Sequence, residues 1–146
     1  MSRSLLMATR IALGALFLWA AAAKLPDMSA FAQDVANYRI VPAVLVPWVA
    51  AAVVGIEFLA GVALMSGAMA RPAALVAAFL LVAFIGFLVQ ALLRGIDLRC
   101  GCFGGNEPAT WWTVARDAVM LAAALVSARD RVQRQPVPKH EGSPQT

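Results

Sequence analysis

Apolar residues fall in four long blocks, separated by short polar breaks. The first block runs from about Leu5 to Ala23 and is interrupted only by Thr9 and Arg10. The second covers about residues 43–68 and holds one charge, Glu57. The third, Ala73 to Leu93, holds none, and the fourth, about Ala109 to Ala128, contains Arg116 and Asp117. A helix needs about 20 apolar residues to cross a bilayer, so each block is long enough. A bilayer interior offers no water to the backbone, and alanine- and leucine-rich runs satisfy their own amides as helices. The pattern predicts an all-α fold: a four-helix transmembrane bundle, one domain over residues 1–130.

The breaks differ in kind. Met69 to Pro72 is short, which makes the second and third spans antiparallel neighbours. Lys24 to Pro42 is longer and carries Phe31, Val35 and Tyr38 at i, i+4 and i+7, with Gln33, Asp34 and Asn37 off that stripe. This predicts a short interfacial helix between spans one and two, lying on the membrane or packed as an ordinary loop helix. Arg94 to Pro108 is a glycine-rich loop. Residues 131–146 are polar and proline-rich and are expected to be a disordered tail. The first block has a competing reading as a cleaved leader, since the small-residue string Ala20–Ala23 resembles a signal-peptidase site. Its length and flanks favour a retained span.

Composition agrees with a membrane protein. The 146 residues are 62% hydrophobic and 14% charged, more apolar surface than a soluble domain of this size can hide. The net charge of +4 would suggest nucleic acid in a soluble protein. Here the basic residues sit in short loops and the tail, so they report orientation instead. Arg3, Arg10, Arg71, Arg129, Arg131, Arg134 and Lys139 fall on one side, against Lys24, Arg39, Arg94 and Arg99 on the other. Both termini are therefore expected in the cytoplasm, with the Arg94–Pro108 loop outside an inner membrane. Trp19, Trp48, Trp111 and Trp112 all lie at the loop-side ends of the spans, as an interfacial belt would.

That loop holds both cysteines of the chain, Cys100 and Cys102, in the string LRCGCFGG. A bridge between them closes a very small ring. It is geometrically strained and easily reduced, and it adds little as a staple. An exchangeable redox dithiol is the leading reading, with Cys100 as nucleophile and Cys102 as resolving partner. Arg99 is placed to favour a thiolate at Cys100. Arg116 and Lys24 are further candidates for stabilising a thiolate, although Lys24 reads first as an interfacial anchor. Incidental thiols in a turn and a metal clip stay open. A zinc site needs more ligands than one loop supplies, and the one histidine, His140, lies in the tail. With no second cysteine pair, a partner protein on the same side or a quinone reaching the loop must exchange the electrons. No motif for any cofactor is present.

Charges inside spans are costly and usually paired. Arg10 and Glu57 lie at similar depths, each with a glycine four residues on, Gly14 and Gly61. This predicts a structural Arg10–Glu57 ion pair between spans one and two. Arg116 and Asp117 are adjacent, project about 100° apart and are expected not to face one partner.

Arg10, Gly14, Lys24-Leu25, Phe31, Tyr38, Glu57, Gly61, CGCFG at 100–104 and Arg116 together resemble the MauE family of DoxX-like membrane proteins. The resemblance covers about residues 4–130, and CGCFG is its most specific part. It implies a four-helix inner-membrane protein in extracytoplasmic thiol–disulfide chemistry. The implied partners are a periplasmic thioredoxin-like protein or a disulfide-rich client, the small subunit of methylamine dehydrogenase. The alternative is a non-redox membrane scaffold or carrier for a maturing protein.

Overall fold

The computed structural model describes residues 3–95 and 110–129, and within them every regular element is helical. Helix α1 (Arg3–Lys24) is followed by a 3₁₀ turn (Leu25–Asp27) and α2 (Met28–Asn37). A second 3₁₀ turn (Ala43–Leu45) leads into α3 (Val46–Ser66). Helices α4 (Ala70–Leu93) and α5 (Trp111–Arg129) complete the chain order. Four stretches are long and apolar enough to cross a membrane; one begins with α1, and the others coincide with α3, α4 and α5. The all-α, four-span architecture is the one the apolar blocks predict.

Local chemistry explains the boundaries. The Asp27 carboxylate accepts the Ala30 N–H at 2.9 Å and starts α2. Pro47 occupies the first turn of α3, where its missing N–H costs nothing. Helix α3 ends at Gly67, whose φ of 76° lies in the left-handed region that glycine enters without strain. The turn to α4 is thus only three residues, Gly67 to Met69.

Helix α1 packs chiefly on α3 and α4 on α5, with lighter contact between the two pairs. The shared core is built from Leu13, Phe17, Leu64, Leu81 and a series of alanines on α4 and α5. Small side chains let helices approach closely where no hydrophobic effect drives them together. The outward faces are apolar too: Phe79 is 73% exposed and Val119 71%. In water this would be an aggregation liability; in a bilayer it is the lipid-facing surface.

Helix α2 lies against the bundle. Phe31 is buried in a second cluster with Ala21, Ala50 and Val54, and Val35 packs beside it. The Phe31–Val35–Tyr38 stripe therefore faces protein, which is the packed-helix form of the two expectations. One end of the bundle gathers the start of α1, the Gly67–Met69 turn and the end of α5. The other gathers the end of α1, α2 and the start of α3. Helix α4 finishes and α5 begins at this second end, on either side of residues 96–109. The exposed Trp19, Trp48, Trp111 and Trp112 all stand toward it.

Candidate functional site

Three charged side chains are buried in the half of the bundle near that second end. Lys24 ends α1, Glu57 lies midway along α3, and Asp117 is six residues into α5; they are 2%, 3% and 2% exposed. The Lys24 ammonium donates to both Glu57 carboxylate oxygens, at 2.9 and 2.8 Å. It also donates to the Ala20 carbonyl at 3.3 Å and stands 5.2 Å from the centroid of the Phe31 ring. One ammonium thus joins α1, α3 and α2, through an ion pair and a cation–π contact. On α5, Arg116 donates to the Asp117 carboxylate at 3.3 and 3.4 Å, with its own side chain 39% exposed. Glu57 and Asp117 both border a cleft of about 20 Å³ whose other walls include Phe17, Leu81 and Phe84.

The expected Arg10–Glu57 pair is replaced by Lys24–Glu57. Gly14 and Gly61 do meet across the α1–α3 crossing, but the helices are antiparallel. With those glycines level, Glu57 stands level with Leu18. Arg10 is then eight residues off, about 12 Å along the axis. Helical side chains lean toward their own N-termini, so Arg10 and Glu57 lean apart, whereas Lys24 and Glu57 lean together. Arg10 instead lays its guanidinium over Gly67 at the C-terminal end of α3, where a cation complements the helix dipole. Its Nε is buried with no hydrogen-bond partner among the described residues.

Arg116 and Asp117 bond each other, a contact that their separation at Cβ did not suggest. Adjacent helical positions diverge at Cβ, but the arginine stem is long enough to fold back onto its neighbour's carboxylate. Lys24, read first as an anchor, is the most heavily used cation of the site. The signal for it was present in the sequence: the Gly14 and Gly61 spacing, applied to antiparallel helices, brings a long cation at the end of α1 toward Glu57.

Cys100, Cys102 and Arg99 lie outside the described residues, as do His140 and the 131–146 tail. The chain leaves the end of α4 and re-enters at the start of α5, and the segment between carries the dithiol.

A small bundle of apolar helices, lipid-facing outside and cross-linked inside by a buried lysine–carboxylate cluster, is a multi-pass membrane protein. The chain belongs to the MauE family: the family model described as methylamine utilisation protein MauE matches residues 2–129. It is similar to the methylamine utilization protein MauE of Paracoccus denitrificans, with 36% identity over 141 residues, covering 94% of this chain and 76% of that protein. No solved structure matches the chain.

Proposed function

We propose that this protein acts in methylamine utilisation as an inner-membrane participant in extracytoplasmic thiol–disulfide chemistry, assisting disulfide formation or maturation of a periplasmic client. The observation that carries the reading is the placement of the chain's two cysteines. They stand one residue apart, in the segment that joins α4 to α5, and these helices finish and begin at the end of the bundle whose nearer half buries Lys24, Glu57 and Asp117. The MauE relationship supports the methylamine context, and the small subunit of methylamine dehydrogenase is the client that fits it. Both termini lie in the cytoplasm in this reading, which the distribution of basic residues supports.

In the proposed exchange, the Cys100 thiolate attacks a disulfide of a thioredoxin-like partner or the client, breaking that S–S bond, forming a mixed disulfide and releasing the other sulfur as a thiolate. The Cys102 thiolate then attacks the Cys100 sulfur, releasing the partner's second sulfur as a thiolate and leaving a Cys100–Cys102 bridge and a reduced partner; run in reverse, client thiolates open the bridge, so that a client disulfide forms and Cys100 and Cys102 are left reduced. Arg99, Arg116 and Lys24 are the cations available to favour the thiolate form. The Cys102→Ser variant tests this, because a mixed disulfide through Cys100 should accumulate on non-reducing gels of membranes. Trapping in Cys100→Ser instead reverses the two roles. If neither variant gives an adduct and client disulfides form normally without both thiols, the protein is a scaffold for the maturing client.

A further inference from the structure

We propose that the cavity beneath α2 binds a single quinoid ring drawn from the membrane. The cavity has a volume of about 110 Å³ and lies between α2, the Ile40–Val41 stretch, α3 and α4. Four aromatic side chains, Phe31, Tyr38, Phe84 and Phe87, form its walls with Val53. The Tyr38 and Phe87 rings stand 5.8 Å apart between centroids and are tilted by 44°.

Size restricts the ligand. An engineered protein cavity of about 150 Å³ lined by Leu, Ile and Phe admits benzene. A space of about 110 Å³ between aromatic walls therefore suits one six-membered ring, and excludes a flavin or a dinucleotide. Polarity restricts it further. Tyr38 and Asp34 are the polar side chains of the lining, and the Tyr38 hydroxyl is a donor suited to a ring carbonyl. Ile40 both lines the cavity and is exposed, beside the exposed Val44 and Leu45, so the approach is apolar. A ring carrying a lipid tail enters by such a route, and a hydrated metabolite does not.

The cavity shares walls with the ion cluster. Phe31 carries the Lys24 ammonium against its ring. Phe84 also borders the cleft next to Glu57 and Asp117. A redox-active ring is favoured over an inert one by electron balance, and here the inference rests on the thiol–disulfide reading above. Oxidising the Cys100 and Cys102 thiols to one S–S bond releases two electrons and two protons. The chain has no third cysteine to receive them. A quinone takes up both electrons and both protons and becomes the quinol.

The site is tested by calorimetric titration of the full chain in detergent with a benzoquinone bearing one prenyl unit. Saturable one-site binding is expected. Val53→Phe, which fills the cavity, should weaken it about tenfold or more. Tyr38→Phe, which removes only the hydroxyl, should weaken it about two- to tenfold. The Cys100→Ser/Cys102→Ser protein should bind as the wild type does but leave the quinone unreduced, whereas wild type with reduced thiols converts it to quinol. Absence of saturable binding, or binding unmoved by both Val53→Phe and Tyr38→Phe, overturns the site. If Val53→Phe loses helicity by circular dichroism, Tyr38→Phe decides alone. Binding that follows the variants without thiol-dependent reduction keeps the site and removes the dithiol as its electron donor.

Discussion

Gly14 and Gly61 meet backbone to backbone where α1 crosses α3. A Cβ placed on Gly14 would stand 2.9 Å from the Gly61 carbonyl oxygen, and one on Gly61 would stand 3.0 Å from that of Gly14. This contact sets the separation of the two helices and also their register. The register in turn decides which cation reaches Glu57.

Larger residues at this crossing should push α1 and α3 apart. Gly14→Val and Gly61→Val are each expected to cost about 1–3 kcal/mol, in the range of overpacked cores. Gly55→Ala and Gly86→Ala serve as controls, since a Cβ there meets nothing within 4 Å. Reversible unfolding in mixed micelles measures all four. Equal tolerance at Gly14 and Gly55 would show that the crossing is not tight.

Glu57→Leu leaves a buried ammonium without its carboxylate. Breaking one partner of a buried pair costs roughly 3–5 kcal/mol in soluble proteins. Adding Lys24→Met should recover much of that loss, and adding Arg10→Leu should not. Rescue by Arg10→Leu rather than by Lys24→Met would reassign the partner of Glu57.

Lys24 bonds both oxygens of the buried Glu57 carboxylate, and Arg116 bonds Asp117 from a partly exposed position. Lys24→Met should therefore lower stability more than Arg116→Gln, measured by the same unfolding assay. Arg116 bonds Asp117 at 3.3 and 3.4 Å, long for charge-assisted contacts. A larger loss on replacing Arg116 would place the main support of Asp117 on its own helix.

A reporter that is active only in the periplasm, fused after Arg129, should be silent if both termini are cytoplasmic. The same reporter inserted between Arg94 and Thr110 should be active. The reverse pair of results would put the dithiol in the reducing compartment and remove the oxidative role proposed for it.

The spans were legible because a bilayer selects for length and apolarity, which a sequence displays directly. The helix after Lys24 was legible from the i, i+4, i+7 placement of Phe31, Val35 and Tyr38. The Glu57 partner was misassigned because depth was counted from the estimated span ends, without the register set by Gly14 and Gly61 and without the opposed lean of side chains in antiparallel helices. Arg10 lies about 12 Å along the axis from the level of Glu57, and the two side chains lean away from each other. The Arg116–Asp117 contact was missed for a related reason: Cβ directions describe short side chains well, and arginine poorly. The cavity walls draw on α2, the residues after it, α3 and α4, so no local pattern announces them.

The Lys24–Glu57 bond joins residues 33 positions apart in the chain, and this has a consequence for biosynthesis. The ribosome delivers α1 with its lysine well before the glutamate exists. Lys24 ends its helix and can wait with its ammonium among the lipid headgroups. Glu57 has no such refuge, since it sits midway along α3. The first helix thus stands ready as the counter-charge that helps the second long span leave the translocon, and losing Lys24 should show as failed insertion of α3 before it shows in any property of the finished protein.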